Sequence, residues 1–542
     1  MCQESLINYL DTSLNRKTET VPRSEIETFV HLGEQISHYE AVKTRYAVKM
    51  PKSIEQHARE IDTTLSDILI CDPAVGSGAF PVGMMAEIVR ARCALTSYFN
   101  DVHERTPYYF KRHAIQNCLY GVDIDSGAVE IAKLRLWLSL VVDEEETKQI
   151  KPLPNLLYKI VAGNSLLGVE KTLFNEKLFR QLENLKPLFF DEVDIAKKAR
   201  IRQEIDGLIH QLTRGDETFD FHIYFSEAFH RKNGKNGFDV IIANPPYDVL
   251  NVTEGQKIER KLLDIIRHMP QYQNALGGKL NLFRLFMAKG MDLLSKDACL
   301  TYIVPYGFMC DSSSKTLRKF ILSEKQIVFV EAFPERDDPR KRLFEAAKMS
   351  TCIVLIRNAS SPEKFVVRTH YSRYISKSVP TVHLDYKLIQ QIDATNYPIP
   401  LMDDSELAIV RKMVAQPHRL RHFGRCYEGE VNQTFHKKFF RSQRNGNAKL
   451  IKGAAVQRFL IKDKMSQGEI EFLDEKAFLK SNRAPKTQHH ELKRLIMQGM
   501  TGVNEKTRLI TPSTKLVTLF NWRHIGRGVH KNSSSPPWAS PA

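Results

Sequence analysis

The chain has 542 residues, more than one hydrophobic core usually serves, so at least two domains are expected. Lys and Arg number 79 against 63 Asp and Glu, and the net charge of +16 points to a polyanionic partner rather than a basic one. No run of about 18 apolar residues occurs and the N-terminus lacks a signal-peptide core, so neither a membrane span nor a leader is expected. The eight cysteines include no C-x-x-C pair, so reduced thiols in a cytoplasmic protein are expected, with no disulfide frame and no metal site.

In chain order, residues 1–50 read as a helical segment, with Ile26, Phe29, Val30 and Gly33 spaced along one face. Residues 68–80, Ile-Leu-Ile-Cys-Asp-Pro-Ala-Val-Gly-Ser-Gly-Ala-Phe, read as a strand, an acidic end, a glycine turn and a helix start. Gly76 and Gly78 let the backbone turn tightly and approach a ligand closely. The following helix N-terminus offers free N–H groups. The third glycine of G-x-G-x-x-G is missing, so this is not the dinucleotide fingerprint. Leu119–Asp125 is a second strand with an acidic end, and Asp123 is placed to accept from a ribose diol. A helix N-cap is the plainer reading of Asp123, and Asp125 suits that role better. Val129, Ala132, Leu136 and Leu140 mark the helix that follows, and Tyr158–Ser165 a third strand with a polar end.

Residues 170–235 read as a charged helical insertion. Val240–Ala243 are the short apolar run of a buried parallel strand, which stops on Asn244-Pro245-Pro246-Tyr247. Each proline fixes φ near about −65° and lacks an N–H, so the strand end is stiff. Such ends are where open α/β sheets bind ligands. An amino group on a flat ring could donate to Asn244 Oδ1 and the Pro245 carbonyl while its ring stacks on Tyr247. A proline turn that merely ends a strand is the alternative. Residues 248–280 form a further loop; Thr301–Pro305 and Thr351–Ile356 supply later strands; the proline-spotted stretch 358–400 reads as a lead into another domain. Charge is uneven: residues 411–531 carry 26 Lys and Arg against 9 Asp and Glu, leaving −1 elsewhere. Aromatics interleave there, as in Phe435–Arg441 and Trp522–His524. The segment 532–542 reads as a disordered tail.

These motifs resemble the amino-group DNA methyltransferases of the N6-adenine kind, especially the large enzymes that join a methylase to a restriction nuclease. Asp72–Phe80 resembles their S-adenosylmethionine loop, Asp123-Ile124-Asp125 their ribose-binding strand end, Gly163–Leu166 their adenine-side turn, and Asn244–Tyr247 their catalytic loop. The resemblance spans roughly residues 40–360 in order, and weakens beyond about 420. It implies an α/β, Rossmann-like methyltransferase with a mostly parallel seven-stranded sheet over residues 51–360, a linker over 361–410, and a basic α+β target-recognition domain over 411–531. It places a cofactor-closing loop at Tyr46–Pro51. It assigns S-adenosylmethionine to Asp72, Ala74, Gly76, Gly78, Phe80, Asp123, Ile124 and Asn164, and catalysis to Asn244, Pro245, Pro246 and Tyr247. Duplex DNA is the implied partner, met by Lys437, Lys438, Arg441, Arg444 and Lys452, and a separate restriction subunit is a further one the resemblance allows. The nuclease of the combined enzymes is expected to be absent, because no Pro-Asp dipeptide occurs and few residues precede the first strand. The implied reaction is methyl transfer to N6 of a flipped-out adenine in a restriction-modification system. The alternatives are N5 methylation of a protein glutamine, through the same Asn-Pro-Pro-Tyr chemistry, and a methylase remnant that only binds DNA.

Overall fold

The computed structural model describes residues 1–16, 20–41, 49–101, 103–142, 155–168, 176–213, 219–231, 234–250, 257–360, 364–376, 378–432, 435–452, 455–457, 460–462, 470–482, 484, 487, 494–498 and 526–531. It divides into two compact units, Met1–Arg411 and Lys412–Ala542.

The first unit is built on one nine-stranded sheet. Its strands are β1 Ile70–Asp72, β2 Leu119–Asp123, β3 Ile160–Ala162, β4 Phe238–Ala243, β5 Leu294–Pro305, β6 Gln326–Phe333, β7 Thr351–Arg357, β8 Phe365–Thr369 and β9 Thr381–Leu384. Every residue of β4 is buried, Asp239 included, and the apolar run Val240–Ala243 within it is what a sheet covered on both faces requires. The spatial order is β3-β2-β1-β4-β5-β7-β6-β8-β9. Strands β1 to β6 and β8 run one way, whereas β7 and β9 run against them.

The expectation of seven mostly parallel strands is therefore corrected to nine in a mixed sheet. Two features account for the difference. The chain returns after β6 as an antiparallel partner and inserts β7 between β5 and β6. Residues 361–410, expected to be a linker, contribute β8 and β9 to the sheet's edge. In β8, buried Phe365, Val367 and Thr369 alternate with half-buried Val366 and Arg368, the pattern of a strand covered on one face.

The helices Cys2–Leu14, Arg23–Ala41 and Ala79–Leu95 share a core with the sheet. Leu6, Ile7 and Leu10 are fully buried beside Ile70, Val240 and Ile242. Burial of such side chains stabilises by about 1.5–3 kcal/mol each. Ser5 Oγ also donates to Thr301 Oγ1 of β5 over 2.7 Å, so the first helix is keyed to the sheet. The insertion holds the helices Glu176–Asp191 and Ile195–Leu212, packed on a cluster of their own that includes Leu182, Phe189, Ile205 and Ile209.

Strand order reverses at β1, whose neighbours are β2 and β4. Open α/β sheets bind ligands at such a switch point, outside the carboxyl ends of the strands.

The second unit contains short strands and the helix Glu475–Ser481 around Val431, Phe439, Leu450, Leu473 and Phe478. Gly526–Lys531 is the middle strand of a three-stranded sheet, between Gly424–Glu428 and Arg494–Gln498. Residues 46–48, 522–524 and 532–542, part of the closing-loop, aromatic and tail readings, lie outside the described residues. Among those described, no helix is long and apolar enough to cross a membrane.

Candidate active site

The loop after β1 is built by glycine and by backbone hydrogen bonding. Gly76 has φ +48° and Gly78 φ +81°, left-handed conformations that favour glycine. A Cβ on Gly78 would lie 3.0 Å from Ala132 Cβ, so the loop packs directly on the helix Ser126–Val141. Gly78 then caps the helix Ala79–Leu95. Val75 N–H donates to Val122 O over 2.9 Å, Gly76 N–H to Asp123 Oδ2 over 2.8 Å, and Ala74 N–H to Asp72 Oδ1 over 3.0 Å. Phe80 is half-buried and packs on the main core.

Asp72 is nearly inaccessible, and its Oδ2 has no hydrogen-bond partner among the described residues. Burial pushes this carboxyl up to about 8; the N–H of Ala74 opposes the shift and the neighbouring Asp123 adds to it. A buried carboxylate with a free oxygen is costly unless a cation or donor meets it.

At the end of β2 the two acids divide their work. Asp125 caps the next helix, accepting from Gly127 N–H at 2.8 Å. Asp123 holds loops instead, with Oδ1 accepting from Asp125 N–H over 3.0 Å and Oδ2 from Gly76. Each of its oxygens retains a lone pair for a further donor. Ile124 beside it is 75% exposed, a large apolar side chain left in water at a strand end. After β3, Gly163 N–H donates to Asp123 O over 2.8 Å, and Asn164 Oδ1 accepts from Leu166 N–H over 3.0 Å. Ser165, which the resemblance placed in the adenine-side turn without a contact of its own, donates from Oγ to Pro73 O over 2.6 Å and so locks this turn to the β1 loop.

At the end of β4, Asn244 is exposed, Pro245 is buried, and Pro246 and Tyr247 are half-buried. The Tyr247 hydroxyl lies 2.8 Å from Asn244 Oδ1 and 3.1 Å from Ile303 O of β5, donating its single proton between them. Burial raises the Tyr247 phenol above its usual range, so it remains a donor. One acceptor site of Asn244 Oδ1 thus faces Tyr247 and the other stays open. The ring of Tyr247 was the feature legible in sequence; its hydroxyl as the anchor of Asn244 was not.

The structure therefore gathers Asp72, Ala74, Gly76, Gly78, Asp123, Ile124, Asn164 and Asn244–Tyr247 at the carboxyl edge of β1 to β4. A separate cavity of about 670 Å³, lined by His113, Tyr120, Lys159, Lys186 and Glu227, lies toward the opposite ends of β1 to β3 and includes none of them. The candidate DNA contacts sit in the second unit: Lys437, Lys438, Arg441 and Arg444 are exposed and Lys452 is half-buried. Arg441 pairs with Asp474 at 3.0 Å and Lys452 with Glu471 at 2.5 Å, so these two are already partly neutralised.

Sheet order and site loops define a methyltransferase-like α/β unit. Residues 117–338 match the family described as Eco57I restriction-modification methylase. That match takes in Asp123, Asn164 and Asn244–Tyr247 and begins after the Asp72–Phe80 loop. RM.MjaORFECS2P of Methanocaldococcus jannaschii is 26% identical over 377 residues, 54% of this chain and 30% of that protein. The Escherichia coli type II restriction enzyme and methyltransferase RM.Eco57I is 23% identical over 360 residues, 64% of this chain and 29% of that protein. The chain thus spans about 30% of the length of these relatives. Among solved structures, the Type IIL restriction-modification enzyme MmeI in complex with DNA gives a TM-score of 0.47 at 12% identity, covering 98% of this chain and 65% of that one.

Proposed function

We propose that this chain is a site-specific DNA methyltransferase that transfers a methyl group from S-adenosylmethionine to N6 of a flipped-out adenine, within a restriction-modification system. The observation that carries the reading is the convergence, at one sheet edge, of the glycine loop, Asp123 and Asn164 with the Asn244–Tyr247 loop. The restriction-modification relatives favour DNA as the substrate, and so does the basic second unit.

The residues present suit the cofactor. The Oδ2 of Asp72, partnerless among the described residues, fits its ammonium, the open side of Gly76 admits it closely, Asp123 fits its ribose, and exposed Ile124 offers an apolar face to its adenine. When bound, the sulfonium supplies an activated methyl and its own leaving group. Asn244 Oδ1 and the Pro245 carbonyl then hold the target amine, and Tyr247 fixes the Asn244 side chain that does the holding. Paired and stacked in a duplex, N6 cannot reach this edge, so the base must leave the helix. Positioning supplies most of the acceleration.

Incubating the chain with labelled S-adenosylmethionine and either mixed-sequence DNA or total protein tests the assignment. Label on adenine supports it; label confined to protein glutamine, or none at all in a chain that binds the cofactor, overturns it.

Asp123→Ala is expected to weaken cofactor binding by about 1.5–3 kcal/mol, the range for hydrogen bonds to a charged group. Unchanged affinity by calorimetry in a folded variant would leave Asp123 as a brace for the Gly76 loop only. Asp72 brings a pH dependence. With its carboxyl near 8, the ligand-free chain holds this proton at pH 6–7.5, whereas pairing with an ammonium requires the carboxylate. Binding should therefore release a proton, and affinity should rise by up to about tenfold per pH unit across that window. Calorimetry in buffers of different ionisation enthalpy counts the proton; zero release would remove Asp72 from the ammonium site.

A further inference from the structure

The carboxyl edge of the sheet continues past β5, and two connections emerge there. Residues 334–350 join β6 to β7, and 370–380 join β8 to β9; both leave from the edge that holds Asn244–Tyr247. They are fastened to it. Tyr306 N–H, one residue past β5, donates to Ser350 O over 3.0 Å, and β5 itself accepts the Tyr247 hydroxyl through Ile303. Arg373 donates to Glu345, joining the two connections.

Their exposed chemistry is unusual for a bare surface. Tyr371, Tyr374 and Ile375 are 65%, 67% and 65% exposed, and the Arg373 guanidinium lies 5.4 Å from the Tyr374 ring centroid. On the neighbouring connection the side chains of Arg336, Arg340, Lys341 and Lys348 are all largely exposed, Arg340 at 89%. The carboxylates between them are engaged locally. Glu335 Oε1 accepts the N–H groups of Arg336, Asp337 and Asp338; Asp337 faces Lys348 and Arg336; Asp338 faces Arg340 and Lys341. Flat rings beside outward-pointing cations suit nucleic acid, whose phosphates take the charges and whose sugars and bases take the rings.

We propose that residues 334–350 and 370–376 are a DNA-contact surface of the catalytic unit, with Tyr371 and Tyr374 packing on nucleotides that flank the target and Arg336, Arg340 and Lys341 on their phosphates. The proposal rests on the DNA-methylation reading above. β8 is four strand spacings from β4, or about 19 Å at roughly 4.8 Å each. A strand following the sheet edge covers that distance in about six nucleotides at roughly 3.4 Å per step. The surface is thus separate from the pocket at Asn244. Charge counting conceals it, because residues 1–410 net −1.

The test uses the full chain, a fluorescently labelled mixed-sequence duplex and anisotropy between about 50 and 200 mM salt. Tyr371→Ala with Tyr374→Ala should weaken duplex binding about tenfold or more, with cofactor affinity unchanged. The paired Tyr→Phe variant should bind as the parent, since a ring suffices. Arg340→Ala with Lys341→Ala should flatten the salt slope by up to about 1.8, the limit for two phosphate contacts, and by less to the extent that both cations must first leave Asp338; this gives an independent reading should the paired Tyr→Ala variant fail to fold. Duplex binding unchanged in both sets overturns the proposal and leaves the methyltransferase reading standing. A parent chain that binds cofactor and no duplex overturns that reading itself. Loss of self-association with intact DNA binding would make the patch a contact between copies and also overturns the proposal.

Discussion

Asn244→Ala should lose methyl transfer by about 10²–10³ in rate while cofactor affinity stays near that of the parent chain. The size follows from removing one positioned polar contact to the reacting group. The separation of the two effects follows from the structure. Asn244 is at the end of β4 and is exposed, and its side-chain oxygen meets only Tyr247 among the described contacts, whereas the glycine loop is held from β2 and β3 through Asp123 and Ser165. Nothing in the cofactor loop leans on Asn244, so its truncation should not disturb that side. Tyr247→Phe is the informative companion. It keeps the ring and removes the hydroxyl that fixes Asn244 Oδ1, so it should give a smaller loss of rate, with the side chain correctly placed only part of the time. Single-turnover methyl transfer on DNA, with calorimetry for the cofactor, measures both. Parent-like turnover by Asn244→Ala would remove the Asn-Pro-Pro-Tyr loop from the chemistry.

Much of this site could be read from the chain because Asp72, Asp123 and Asn244 end or directly follow short apolar strands. Ile68–Cys71 runs into Asp72, Tyr120–Val122 into Asp123, and Val240–Ala243 into Asn244, and a parallel strand covered on both faces delivers whatever follows it to one edge. The remainder depends on contacts between residues far apart in sequence. No local pattern tells that β7 enters between β5 and β6, since that pairing is chosen by the sheet and not by the strand. β8 was hidden differently: its alternation of buried and half-buried residues is a strand signal, but it lies in a stretch where prolines suggest loop. The orphaned oxygen of Asp72 was out of reach because burial and hydrogen-bond partners are set by the assembled fold and leave no local sequence pattern. Likewise, residue types announce Tyr247 as a ring, while only a side-chain conformation shows its hydroxyl against Asn244.

Ending the chain at Arg411 should abolish most duplex binding and flatten its salt dependence, while leaving cofactor binding intact. The division falls between two units that each have their own sheets and cores, so the first should fold alone. The charge lost is large: 26 Lys and Arg against 9 Asp and Glu lie within residues 411–531. Each phosphate neutralised adds about −0.9 to the slope of log K against log salt, so six contacts weaken binding roughly 10³-fold between 50 and 200 mM. The five candidates should not contribute equally. Lys437, Lys438 and Arg444 are exposed cations, and each alanine substitution should lower the slope by about one. Arg441 and Lys452 must first leave Asp474 and Glu471, so their substitutions should change it less. A chain ending at Arg411 that bound duplex as tightly as the full one, with the same slope, would mean that binding needs nothing beyond the catalytic unit, and the surface around Tyr371 and Tyr374 would then have to supply it. An intermediate result, with residual binding that the Tyr371→Ala and Tyr374→Ala pair removes, would assign flanking contacts to the sheet edge and the bulk of the phosphate contacts to the basic unit.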